Sequence, residues 1–408
     1  MRAFAVALVM MTAGVARAGA PRAGAPRAEL PPLLRIEDPA DAMKRFRQAL
    51  AKVKAGKPGA LLRVVNYGDS FTSDDAITRR ARERLQELHG DGGAGWVPFA
   101  LPSPSFRHMT VKRTHSGWKV KNVTFKRIPD GRYGIGGSAF EGTSGAQSTF
   151  MTMAKGTLGT KVSRYELQYL VQPGGGTLEL TLDGQPHGTV DTAGPEVSSG
   201  FHAFEVADGA HTLKVRVTRG RVRVFGVVME RPGPGVTYDN LGLASNSARA
   251  LRGMNAEQLR QQHAHRDVDL VVVHLGGNGI DWFAPTAKSM ERYQEVNLEF
   301  FQMVRAAAPQ ASCLVMAPTD SGFWARGVVT TKPGIPGAVE AQRRAAHQAG
   351  CAFWDTFAWM GGKGALRKWL KEGNWTTGLN HPNSAGAERI GLGLVEALEA
   401  NFAEAKAK

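Results

Sequence analysis

In VVNYGDSFTSDD, residues 64–75, an apolar run stops at a Gly-Asp-Ser turn and a stretch of helical spacing begins. A serine at that place either caps the helix, the ordinary job of the residue type, or presents its hydroxyl as a nucleophile. Ser70 is therefore read together with three other places: DNLGLASNSARAL (239–251), Asn278 just after VVVHLGG, and His381 in LNHPNSAG. A hydroxyl, an imidazole that can take its proton, and amide donors for charge developing on a carbonyl oxygen are the parts of serine acyl transfer. The chemistry requires that four segments spread over some three hundred residues meet at one point.

The elements predicted around them supply that point. LLRVVNYGD is an apolar run of strand length, and DDAITRRARERLQELHG returns to helical spacing through Ile77, Ala81, Leu85 and Leu88. The alternation resumes late in the chain with strand-like VDLVVVHLGGNG, helical SMERYQEVNLEFFQMVRAAA, strand-like CLVMAP, helical AVEAQRRAAHQAG, strand-like CAFWD, and a closing helix from about Ser384. Buried strands alternating with helices imply a parallel sheet covered on both faces. Right-handed crossovers put the strand C-termini, and with them all four segments, on one edge.

Between the two halves the period changes. YELQYLV, GTLELTLDG, AFEVADGAHTLKVRVTRG and VRVFGVVME alternate with a period of two and are separated by Gly, Asp and Pro turns, the pattern of an antiparallel sandwich. The predicted fold class is α/β, a three-layer domain with a parallel sheet interrupted by an inserted β-sandwich. The boundaries are a signal peptide over 1–18, a disordered linker over 19–35, the first part of the α/β domain over 36–104, the insert over 105–232, and the second part over 233–408.

Three blocks in order, YGDSFTSDD, LGGNGID and LNHPNSAGAERIG, resemble those of the SGNH/GDSL hydrolases. The resemblance implies Ser70 as nucleophile, His381 as general base and Asn278 as a side-chain donor to the oxyanion. LHGDGGAGWVPF, YGIGGSAFEG, YLVQPGGGTLELTLDG, FGVVMERPGPGVTYDNLGL and FWDTFAWMGGKGALRKWL further resemble the two-domain peptidoglycan O-acetylesterases of that family. This implies an esterase that removes O-acetyl groups from a cell-wall glycan; no cofactor is expected, and because nothing in the sequence has metal-ligand spacing, no metal either. The same acyl-enzyme would also serve an O-acetyltransferase with a partner, and a degenerate member would only bind wall polysaccharide.

Three positions depart from the family. Gly378 stands where an Asp three residues before the histidine is expected, Ser245 stands where the second block offers a glycine amide, and Gly279 replaces an acidic residue. The Ser245 main chain still carries an N–H, so the expected oxyanion donors are Ser70, Ser245 and Asn278. Loss of a needed triad acid costs about 10⁴ in turnover, and the expected replacement is Asp355 at the end of FWD, with a Ser70–His381 dyad as the alternative. Asp69 is read as stabilising its turn, His274 as a structural residue on a buried strand, and the glycines of YGIGGSAF as packing residues, because no Lys-Ser/Thr of a phosphate loop follows them.

Composition limits the partners. Fifty-one Lys and Arg against 36 Asp and Glu give a formal charge of +15, which favours anionic neighbours, but the basic residues are scattered rather than massed in a tail, which argues against nucleic acid. The N-terminal MRAFAVALVMMTAGVARAGA has an early arginine, an apolar stretch too short to span a bilayer and a small-x-small ending, so an exported, periplasmic or extracellular location is expected. Cys313 and Cys351 each open a strand-like segment, as a disulfide pair or as two buried thiols.

Overall fold

The computed structural model of this protein describes residues 30–280 and 283–407, so the signal peptide expected over 1–18 and most of the expected linker lie outside the described residues. The chain begins with α1 (Lys44–Lys54), β1 (Leu61–Gly68), the single turn α2 (Ser70–Ser73) and α3 (Ala76–His89). Strands then follow one another: β2 (Gly95–Pro98), β3 (Lys112–Ser116), β4 (Lys119–Asn122), β5 (Ser138–Thr143), β6 (Gln147–Met151), β7 (Val162–Val171), β8 (Thr177–Leu182), β9 (Gln185–Asp191), β10 (Ser198–Gly209), β11 (Thr212–Arg219) and β12 (Arg221–Glu230). Alternation returns with β13 (Gly235–Gly242), α4 (Ala248–Leu251), α5 (Ala256–Arg266), β14 (Leu270–His274), α6 (Ala287–Ala307) and β15 (Ser312–Met316). A hairpin of β16 (Gly322–Ala325) and β17 (Val328–Thr331), then α7 (Gly334–Gln348), β18 (Ala352–Trp354), α8 (Thr356–Met360), α9 (Ala365–Lys371) and α10 (Ser384–Ala407) complete it.

Five strands form the parallel sheet in the order β13-β1-β14-β15-β18. Every residue of β13, β14 and β15 is buried, as a sheet sandwiched between two helical layers requires. On one face α1, α3 and α10 pack together; α5, α6 and α7 cover the other. Helix α6 shows how the layer is held. Its buried Met290, Tyr293, Val296, Phe300, Phe301 and Val304 recur every three or four residues, and each such side chain contributes about 1.5–3 kcal/mol when taken from water. The chain starts in β1, moves outward to β13 and crosses back to β14, so the order reverses beside the C-terminal end of β1, the place where open α/β sheets put their sites.

The intervening strands form two antiparallel sheets, β10-β7-β12-β5-β4 and β3-β6-β11-β8-β9, with β2 paired to β12. Alternation works as predicted in β11, where Leu213, Val215 and Val217 are buried and Arg216 and Thr218 exposed. Those residues share one core with Leu178, Leu180 and Phe150 from the neighbouring strands β8 and β6 and with Phe140 from β5 of the other sheet. The inserted sheets start before residue 105, since Gly95–Pro98 already belongs to them. Cys313 and Cys351 form a disulfide between the adjacent strand starts of β15 and β18.

A buried ion cluster ties the insert to the parallel sheet. Arg266, the last residue of α5, donates to Asp239 of β13 at 2.9 Å and pairs with Glu230 at the end of β12. Glu230 also accepts from Arg63 of β1 at 2.9 Å, and Asp239 accepts the N–H of Trp96 in β2 at 2.9 Å. Burial pushes the Glu230 carboxyl up, but Arg266 and Arg63 outweigh it and hold the group at about 2. A depressed acid stabilises the fold above its unfolded value of 4.5, and that contribution is lost as the pH falls toward 2. Arg266→Leu strands two buried carboxylates and is expected to cost about 3–5 kcal/mol in urea unfolding at neutral pH; a loss below about 1 kcal/mol would show that the cluster does not join the two parts.

Candidate active site

Ser70 follows β1 directly, and the turn that presents it is compact. A Cβ on Gly68 would meet Thr72 Oγ1 at 1.9 Å, so only glycine lets α2 fold back against the strand end. The cap of α2 is Asp69, whose Oδ1 accepts the N–H of Phe71 at 3.0 Å. The capping role open to Ser70 in the sequence is thus filled by its neighbour, and the serine hydroxyl is left for other use. It lies 2.8 Å from His381 Nε2.

His381 sits on the loop before α10. Its carbonyl accepts both the N–H and the hydroxyl of Thr376, at 3.0 and 2.8 Å, which fixes the loop, and its ring lies 5.1 Å from that of Phe71. Desolvation lowers its pKa below the usual histidine value, so the imidazole is neutral, the form that can accept a proton, at physiological pH. Its other ring nitrogen has no hydrogen-bond partner among the described residues.

Asp355, the expected replacement acid, is not that partner. Its Oδ1 caps α8 through the N–H of Ala358 at 2.8 Å and its Oδ2 is paired with Arg343, so both oxygens are spent on the end of β18. Strand-end reasoning placed the residue on the correct edge but could not give the direction of its side chain. Around Gly378 the space is open, with no atom within 4 Å of an added Cβ.

Three donors lie on loops that Asn246 joins at the end of β1. The N–H groups of Ser70 and Ser245 meet no acceptor among the described residues, and the Asn278 amide donates only one bond, to Asn246 O at 3.3 Å. Ser245 has φ 60°, a left-handed conformation in which a side chain costs about 1–2 kcal/mol. Glycine is the natural occupant of such a position, and the serine keeps the N–H at the price of that strain.

Two residues hold these donors in place. Asn246, buried, donates to Gly68 O at 3.1 Å and so locks the Ser245 loop to the end of β1. Asp69 does more than close its turn: its Oδ2 accepts the N–H of Gly277 at 3.1 Å, linking the serine turn to the Asn278 loop 208 residues away. Burial pushes Asp69 up to about 6, held back by N–H donors from Phe71, Gly277, Gly276 and Asn278. The only hint of this in the sequence was a short polar side chain between a strand and the serine. His274, buried on β14 with its ring 5.9 Å from Phe71, is held neutral by desolvation at about 4 and makes no bond to Ser70 or His381 among the described residues.

The profile of the GDSL-like Lipase/Acylhydrolase family matches residues 207–389, a span that begins in the inserted sheets and contains Ser245, Asn278 and His381. Over that span the chain is similar to the GDSL-like lipases and acylhydrolases. A solved peptidoglycan O-acetylesterase shares its whole architecture, with a TM-score of 0.74 at 24% identity over 90% of this chain and 98% of that one. More distant are a lipase/acylhydrolase from Enterococcus faecalis (13% identity, TM-score 0.31, 41% of this chain and 77% of that one) and a family two carbohydrate esterase from Cellvibrio japonicus (10%, 0.28, 72% and 98%). No curated protein sequence matches the chain. Ser70 lies outside the matched span, and the inserted strands stand between it and the rest of the parallel sheet in the chain.

Asp69 makes the stability of the site depend on pH. Its folded pKa is raised above the ordinary carboxyl value, so the neutral acid favours folding, and that stability is lost as the pH rises through about 6; keeping it ionised at neutral pH costs roughly 3 kcal/mol. Asp69→Asn removes this cost together with one N–H acceptor. The expected outcome is a thermal midpoint little changed at pH 7.5 and a kcat reduced about 10- to 100-fold, with KM nearly constant. Full activity in a folded variant would exclude a positioning role.

Proposed function

We propose that this protein is an SGNH/GDSL hydrolase that removes O-acetyl groups from a cell-wall glycan, with peptidoglycan as the favoured polymer, through an acetyl-enzyme on Ser70. The observation that carries the reading is the 2.8 Å contact of Ser70 Oγ with a neutral His381, beside unspent N–H groups of Ser70 and Ser245 and the Asn278 amide. His381 takes the Ser70 proton as Oγ attacks the acetyl carbonyl. The carbonyl oxygen becomes an oxyanion, which the three donors stabilise at about 3 kcal/mol each. The sugar hydroxyl leaves with the proton from His381, a water activated by the same imidazole attacks the acetyl-enzyme, and acetate departs.

The size of the pocket favours a short acyl group. It holds about 180 Å³ and is lined by Ser70, Phe71, Asn278, Pro318, Ile335 and His381 among others, well below the 300–1,000 Å³ of sites for drug-sized ligands. The glycan assignment rests on likeness to the solved peptidoglycan esterase in both sheets and insert, and export to the wall is part of the proposal. Catalysis is assigned to a Ser70–His381 dyad, since neither Asp355 nor another described carboxylate bonds the imidazole.

Ser70→Ala is expected to lower p-nitrophenyl acetate hydrolysis by at least about 10³, and acetate released from O-acetylated peptidoglycan should exceed that from acetylated xylan. Wild-type turnover retained by the serine variant would sink the nucleophile assignment; xylan as the much better substrate would sink the wall-specific reading alone. Gly378→Asp introduces a carboxylate where the space is open. A negative charge near the imidazole raises its pKa, so the acid limb of kcat/KM should move to higher pH while the plateau rises. A fall in the plateau would argue that the dyad is already oriented.

A further inference from the structure

Beside the oxyanion donors lies a second hollow that the acetyl chemistry does not use. A cavity of about 370 Å³ runs from Asn278 and Gly276 to Tyr293, with Arg249, Arg252 and Arg292 in its walls and no carboxylate among its described lining residues. It continues into a larger one of about 830 Å³, which shares Ser247, Arg249 and Arg252 and reaches Ser245, Arg127 and Phe125. Phe125 and Arg127 belong to the connection between β4 and β5, so the insert builds the far wall.

The charges in this hollow are incompletely neutralised. Arg249 is exposed and has no acidic partner among the described residues. Arg127 gives its Nε to Val123 O at 3.0 Å and meets no carboxylate. Arg252 is paired with Glu299, the one carboxylate lining the larger cavity, yet its Nε is buried without a partner. Arg292 pairs with Glu295 on the surface of α6. With Arg252 and Arg292 paired to Glu299 and Glu295, Arg249 and Arg127 are left without a carboxylate and can take an anion, and planar forks suit a carboxylate better than a point charge would. Phe125, 64% exposed at the mouth, offers an apolar ring face on which a sugar can lie.

We infer that the hollow between α4, α6 and the β4–β5 connection is a carboxylate-recognition subsite, by which the enzyme selects acetyl esters on glycans bearing a carboxylate close to the acetylated sugar. The inference rests on the esterase reading and narrows it. An acidic glycan anchored by Arg249 and Arg127 would present its ester to Ser70 across the Ser245–Asn278 side of the site. The insert then takes part in choosing the substrate, in addition to any general hold on the polymer.

Binding separates this inference from the esterase reading. The full chain is titrated in a calorimeter with de-O-acetylated peptidoglycan fragments whose carboxylates are free or amidated. Free carboxylates are expected to bind about tenfold tighter, the size of one charge-assisted contact, and Arg249→Gln, an exposed substitution that leaves the core intact, should close most of that gap, with Arg127→Gln closing part. In acetate release, the ratio of kcat/KM on the free to the amidated acetylated fragment should fall likewise in both variants. Equal binding of the two fragments, no binding of either, or a gap that survives in the double variant overturns the subsite. A gap that closes on substitution while no wall glycan is deacetylated supports the subsite and removes the esterase reading of its substrate.

Discussion

One buried carboxylate sets the geometry on which this site depends. Asp69 spends one oxygen on the turn that carries Ser70 and the other on the loop that carries Asn278. Two segments more than two hundred residues apart are thereby held to within a hydrogen bond of each other, and neither can shift without leaving an N–H or a carboxylate oxygen unpaired in a dry environment. Burial of that charge opposes folding, and the site accepts the cost in return for fixed donors, a trade that recurs where rigid placement matters more than stability. Asn246 repeats the device on the other side by bonding Gly68 O, so β1 is clamped at its C-terminal end by both flanking loops.

The larger frame has the same logic. A parallel sheet gathers its C-terminal strand ends on one edge, and the reversal between β13 and β14 opens a crevice there. A long insertion in such a connection would hang loosely if it met the sheet only through its two chain crossings. Here Arg266 joins carboxylates from β12 and β13, and Trp96 of the insert bonds Asp239 of the sheet. The cluster makes the position of the insert relative to the crevice a consequence of buried charge pairing, which tolerates no unpaired partner.

The contact between Ser70 and His381 is arranged by backbone and packing. Without a carboxylate on the imidazole, His381 is held by its carbonyl, bonded twice to Thr376, and by the ring of Phe71. Phe71 follows Ser70 in the chain, so the turn that presents the hydroxyl also packs against the imidazole. Ser245 adds a strained main-chain donor where glycine would sit without cost. Both features place the burden of orientation on backbone and packing rather than on charge.

Much of this was legible in the sequence. The switch from period two to helical spacing and back marked the insert and the parallel sheet, and three ordered blocks marked Ser70, Asn278 and His381, because local turn chemistry and hydrophobic periodicity are properties of short segments. What the sequence could not give is the direction of a side chain once its strand end is placed. Asp355 lies on the expected edge but turns to Arg343 and its own helix, while Asp69, read as a turn residue, reaches across to Gly277. The pairing of Cys313 with Cys351, left open by the sequence, followed from the adjacency of β15 and β18. The arginines of the second hollow come from α4, α6 and the insert, and no spacing links them. Segments fix their own elements through local forces, whereas partners for buried charges are chosen among all atoms that packing brings near, and that choice exists only in the folded chain.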